Sequence, residues 1–113
     1  TVVLCGDERL PERFRSRELQ PLGSRIRTRL TLAPLEKSEL RELLEHLLER
    51  RGNPGLIDED LKPTLINHAA GNPRILCNMA ADLLAAAVDN DQPSIDEKLF
   101  MDVFGRSTKR ARK

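Results

Sequence analysis

The tetrad Gly71-Asn72-Pro73-Arg74 constrains this chain more than any other stretch, because it spells the end of one helix and the start of the next. Gly71 suits the position just past a helix, where φ must be positive. Asn72 is a strong N-cap, and Pro73 fits the first helical position, where no N–H is needed. Arg74 then falls in the opening turn of the second helix, beside the end of the dipole that favours an anion. The chain therefore turns a tight corner here and presents a guanidinium at it.

Periodicity fills in the helices around the corner. From Glu36 to Arg51, Leu40, Leu43, Leu44, Leu47 and Leu48 recur at i, i+3, i+4, i+7 and i+8, which puts them on one stripe. Arg50 and Arg51 suit its C-terminal end, and Gly52-Asn53-Pro54-Gly55 stops it. A second helix starts near Asp60, because Pro63 is tolerated only in a first turn; Leu61, Leu65, Ile66 and Ala69 form its apolar face. The third runs from Pro73 to about Val88, burying Ile75, Leu76, Met79, Ala80, Leu83 and Ala87. Arg74 points away from that side, in line with Asn78, Ala81 and Ala85. Asp89 to Pro93 is a turn, Ser94 a cap, and Ile95 to Phe104 a fourth helix with Leu99, Phe100, Val103 and Phe104 apolar. Gly105 is expected to end it, and residues 105–113 are expected to be a disordered basic tail, with too little apolar surface to fold alone.

The front of the chain reads differently. Thr1-Val2-Val3-Leu4-Cys5 begins without Met as a continuous apolar run, the pattern of a strand buried on both faces. Pro11 starts a short helix carrying Leu10, Phe14 and several arginines. Arg27 to Leu32 alternates, with Thr28, Leu30 and Leu32 sharing one face of a second strand that Pro34 ends. Two such strands need neighbours, so the chain is expected to be the back part of a larger domain. The strands are expected to pair with another chain, distort or fray.

Composition narrows the function. With no Trp or Tyr and only Phe14, Phe100 and Phe104, base-stacking recognition of single strands has little to work with. The formal net charge of +1 conceals segregation: residues 1–29 carry +3, residues 30–105 carry −7 and residues 106–113 carry +5. A basic front and tail can meet anions, although a charge run is more often a solvated face. Cys5 and Cys77 read as buried thiols, with no CxxC or Cys/His cluster for a metal. His46 and His68 stand alone on separate helices, in structural or solvated roles. No signal peptide or membrane-length apolar run is present, which leads to the expectation of a cytoplasmic protein without a membrane span.

The order strand, Gly-Asp, short helix, Leu-Gly-Ser-Arg-Ile, strand, Pro-Leu, helix, helix, Gly-Asn-Pro-Arg, helix resembles the C-terminal part of an AAA+ ATPase over residues 1–104. Within that superfamily the chain is most similar to the general secretion pathway protein A group and the transposition helper ATPases. The resemblance implies a mainly α chain, in which a four-helix lid-type bundle follows two short strands left from an excised α/β core. Residues 1–34 would be the core remnant and 35–104 the lid. Asp7 would lie in the first-sensor region, near Glu8. Arg25 in Ser24-Arg25-Ile26 would be an arginine finger acting in trans, and Arg74 the second sensor. ATP with Mg would bind the full-length protein. Partners would be further copies through the AAA+ interface, a transposase or secretion-complex protein, and DNA through the basic tail.

The physical chemistry is compatible with these roles, since a planar guanidinium binds two phosphate oxygens at once and phosphoryl transfer needs charge stabilisation. The sequence nevertheless has no GxxxxGK[ST] phosphate loop and no strand ending in a Mg-organising acidic pair, so this chain alone is not expected to hydrolyse ATP or hold it. Simpler roles stand beside each assignment: Arg25 as one of a crowd with Arg27 and Arg29, Asp7 and Glu8 as loop caps. An alternative function treats residues 60–88 as a helix-turn-helix DNA-binding module with Arg74 and Asn78 leading the recognition helix. A purely structural helical adaptor is the third reading.

Overall fold

The computed structural model describes residues 1–111, with side chains up to residue 105. Six helices make the chain mainly α: α1 (Leu10–Arg13), α2 (Gln20–Gly23), α3 (Lys37–Arg50), α4 (Lys62–Ala69), α5 (Pro73–Asp89) and α6 (Glu97–Ala111). The chain divides into two compact units, Thr1–Leu32 and a second beginning at Ala33.

In the first unit α1 and α2 are single turns, each with a proline as its second residue. Gly23 is buried, and a Cβ there would stand 2.9 Å from the Phe14 Cβ, so a side chain at this position has no room. The two expected strands do not form. Residues 1–5 and 26–32 are without regular structure, and Val2, Val3, Leu30 and Leu32 are each more than three-quarters exposed. The physical reason is that an apolar run or an alternating one specifies a strand only when a partner supplies the other half of the hydrogen-bond ladder. Cys5, expected to be a buried thiol in such a strand, is exposed for the same reason.

The second unit is a four-helix bundle. Its core is Leu40, Leu44 and Leu48 from α3, Leu65, Ile66 and Ala69 from α4, Leu76, Leu83 and Ala87 from α5, and Leu99 and Phe100 from α6, closed by Ile57, Leu61 and Ile95. In α3, α4 and α5 the spacings 40/44/48, 65/69 and 76/83/87 are those of one helix face, so part of each stripe read from sequence is what meets in the core. Leu47 and Ile75 lie at the margins of their stripes and stay partly exposed. Cys77, expected to be buried, is exposed because it falls about 100° from Leu76 on the outer side of α5.

Among the described residues β-pairing is limited to one parallel bridge, Ile57 with Ile95. The Ile95 N–H donates to the Leu56 carbonyl at 2.7 Å and the Asp58 N–H to the Ile95 carbonyl at 3.0 Å. This bridge claims Ile95 for the linker, so α6 begins at Glu97 rather than Ile95. Asp96 caps it in place of Ser94, its carboxylate accepting the Leu99 N–H at 2.9 Å. The helix runs through Gly105 to Ala111, so the expected stop at Gly105 does not occur. Residues 112–113, and the side chains of the tail from residue 106 onward, lie outside the described residues.

One buried charge organises the entry to α4. Lys62 is only 3% exposed, and its ammonium donates to Glu59, whose other oxygen accepts from Arg41 of α3 at 2.9 Å. Arg41 also donates to Glu45 at 3.0 Å. The Lys62 hydrogen bond, with help from Arg41, holds the Glu59 carboxyl below the usual glutamate range. A carboxylate with a lowered folded-state pKa contributes stability that is full above the unfolded pKa and lost as pH falls through the folded one. Acid unfolding of Glu59→Gln should therefore show a shallower loss of stability below about pH 4.5 than the parent. At neutral pH Glu59→Gln should melt lower than the parent because it strands a buried ammonium, whereas Lys62→Met should be neutral or melt higher. Thermal melts of the three proteins at pH 7 and pH 4 check both statements.

Candidate functional site

Arg74 owes its position to the corner that precedes it. Helix α4 ends with Ala70 in the left-handed region at φ 50° and Gly71 at φ 83°, and two such residues in succession reverse the chain. The Asn72 N–H donates to the Ala69 carbonyl at 2.9 Å, and the Asn72 side chain accepts the Arg74 N–H at 3.0 Å, with Pro73 at the first helical position. The Leu35 N–H donates to the Gly71 carbonyl at 2.9 Å, pinning the corner to the segment that enters α3. A Cβ on Gly71 would meet the Pro34 Cβ at 2.7 Å, so this approach is closed to any other residue. The expected order of helix stop, cap, proline and arginine is thus the one observed, and the backbone beneath Arg74 is held on both sides.

The Arg74 side chain is exposed, with Asn78, Ala81 and Ala85 exposed along the same face of α5. Among the described residues no carboxylate forms an ion pair with it. Leu76 and Leu83 anchor the opposite face with no exposed surface. The result is a guanidinium in the first turn of a 17-residue helix, free to meet an anion that the helix N-terminus also attracts.

Asp7 and Arg25 belong to the other unit. Asp7 is turned inward on its own loop: its carboxylate accepts from the Arg9 backbone at 2.9 Å and from the Arg9 guanidinium at 2.9 and 2.6 Å. Those bonds, the side-chain one foremost, hold the Asp7 carboxyl below its ordinary range. This is the geometry of a loop-stabilising acid. Arg25 follows α2, fixed by its N–H to the Leu22 carbonyl at 3.1 Å, and its side chain is exposed without an ion pair among the described residues. No hydrogen bond joins Asp7 to Arg25.

A shallow cleft of about 210 Å³ lies between α3 and α4, lined by Lys37, Ser38, Arg41, Pro63, Ile66 and Asn67. None of the three residues predicted from sequence lines it. Its Arg41 belongs to the Lys62–Glu59 network, which the apolar periodicity of α4 does not reveal. The available signal was Glu59 three residues before a lysine that stands between Leu61 and Leu65. His68 has a structural role, its ring 5.5 Å from that of Phe100, which in turn lies 5.1 Å from Phe104.

Among the described residues no three His, Cys, Asp or Glu side chains group as metal ligands do, and no helix is long and apolar enough to cross a membrane. Comparison with protein-family models, curated proteins and solved structures gave no match.

Proposed function

We propose that this chain is the C-terminal part of an AAA+-type ATPase: a remnant of the α/β core followed by a helical lid that reports bound nucleotide through Arg74. The observation that carries this reading is the Arg74 geometry, an exposed and unpaired guanidinium in the first turn of a capped helix whose backbone is locked to the α3 entry. In this reading ATP and its Mg bind a phosphate loop that lies outside this chain. Arg74 binds phosphate oxygens from the lid side, and Arg25 acts on the nucleotide of a neighbouring copy. Asp7 lies in the first-sensor region in this reading, its carboxylate held within its loop by Arg9. Downstream partners would be a transposase or a secretion-complex protein.

The test is turnover in the full protein that carries this chain. Arg74→Ala and Arg25→Ala, each folded as judged by circular dichroism, should lower ATP hydrolysis at least about tenfold, with the Arg25 effect appearing only at concentrations where copies assemble. Unchanged hydrolysis in both variants overturns the reading.

A second reading, DNA binding, is favoured by one observation: α4, the corner at residues 70–72 and α5 form two packed helices with Arg74 and Asn78 exposed at the front of the second. Titration of duplex DNA at low and high salt tests it, and no binding at low salt removes it.

A further inference from the structure

Helix α5 carries a second pattern that the core does not use. Cys77, Ala81, Leu84 and Val88 recur at alternating steps of four, three and four, the spacing of a seam between paired helices. At 100° per residue they fall in a sector about 60° wide, about 110° round from the buried Leu76, Leu83 and Ala87. All four are exposed; Leu84 is 46% and Val88 68% open to solvent. Among the described residues this apolar helix face has no partner.

The charges at its two ends indicate what covers it. Arg74 and Asp89 lie on the same flank of the seam, one at each end, both exposed and neither in an ion pair among the described residues. If a second α5 lies antiparallel with Ala81 opposite Ala81, residue positions that sum to about 162 face each other. Arg74 of each copy then meets Asp89 of the other, and Leu84 packs near Asn78 and Cys77. Same-flank pairing is the arrangement that antiparallel helices make. The flanking charges are therefore self-complementary, as a two-fold interface requires, and Val88 packs beside the Arg74 stem of the other copy. Ala81 at the axis lets the helices approach to about 8 Å, the short end of helix packing distances.

We infer that two copies of this chain pair antiparallel through the Cys77–Ala81–Leu84–Val88 face of α5, with reciprocal Arg74–Asp89 ion pairs. This goes beyond the nucleotide reading and does not depend on it. One helix face buries less than the roughly 1,200 Å² of a stable complex, so the dimer is weak. It engages Arg74, so a paired copy holds that arginine away from other anions.

Sedimentation of the purified chain over roughly 10 µM to 1 mM should show a monomer–dimer equilibrium, which Leu84→Glu abolishes while the monomer stays folded by circular dichroism. Arg74→Asp and Asp89→Arg should each weaken dimerisation, and the two combined should restore it. In a background with Cys5→Ser and Cys77→Ser, Ala81→Cys should form a disulfide-linked dimer on mild oxidation. The chain retaining Cys77 as its only cysteine should not, because Cys77 faces Ala85 of the other copy. A monomer at every concentration overturns the proposal, as does cross-linking through Cys77 in preference to Ala81→Cys, or a charge swap that fails to restore pairing.

Discussion

Gly71→Ala should lose about 2–5 kcal/mol of stability, the sum of about 1–2 kcal/mol for a Cβ in the left-handed region and about 1–3 kcal/mol for overpacking. The two costs have separate sources in the structure. Gly71 has φ 83°, and its missing Cβ would sit 2.7 Å from the Pro34 Cβ and 3.1 Å from the Leu35 carbonyl oxygen. Proline cannot swing its ring aside as a long side chain could, and the Leu35 backbone is tied to Gly71 by the hydrogen bond that closes the corner. Gly52 is the internal control, because it has φ 81° and nothing within 4 Å of its missing Cβ. Gly52→Ala should cost only the conformational part, about 1–2 kcal/mol. Ala70, at φ 50° and exposed, is the reverse case: Ala70→Gly should gain roughly 1 kcal/mol by relieving a strained backbone. Thermal melts of the three variants should therefore order as Ala70→Gly, parent, Gly52→Ala, Gly71→Ala, the last falling by roughly 10–20 °C for a domain of this size. Equal losses for Gly52→Ala and Gly71→Ala would mean that the approach of residues 34–35 to the corner carries no energy.

The corner and the bundle were legible in the sequence because their signals are local. Glycine, asparagine and proline each act on their own backbone, and Leu40, Leu44, Leu48, Leu65 and Leu83 are placed by a period that the helix itself enforces. Legibility failed where structure depends on a partner far along the chain. Val2 to Cys5 and Thr28 to Leu32 have strand-like composition, but nothing in a linear pattern says whether a neighbouring strand is present. Ile95 fits a helical period as well as it fits a bridge, and its pairing with Ile57 is a contact between distant residues. The candidate site divides in the same way. The position of Arg74 follows from local signals, whereas the first-sensor reading of Asp7 comes from resemblance, and the bonds Asp7 makes two residues on with Arg9 are a local feature. Lys62 was overlooked because a lysine beside a proline reads as solvent-facing until the fold closes over it.

Adjacent leucines on α5 should have opposite consequences when truncated, and the contrast bears on both the core and the pairing face. Leu83 has no exposed surface and sits among the core residues, whereas Leu84, one step of about 100° further round, is 46% exposed. Leu83→Ala removes three buried heavy atoms and leaves a cavity that the surrounding core fills only in part, so it should cost about 2–5 kcal/mol. A domain of this size holds about 5–10 kcal/mol in all, so the variant should be close to unfolding at 37 °C, with a matching drop in denaturant midpoint. Leu84→Ala gives up only partly buried surface and gains a better helix former, so the monomer should change by less than about 1 kcal/mol. The dimer should respond in the opposite order: Leu84→Ala weakens association in a folded protein, while any association defect of Leu83→Ala follows its unfolding. Measuring urea midpoints at dilute concentration and association at high concentration separates the two effects. Similar midpoints for both variants would mean that the boundary between the core face and the pairing face does not lie between residues 83 and 84. The seam would then belong to the bundle and would not be available to a second copy.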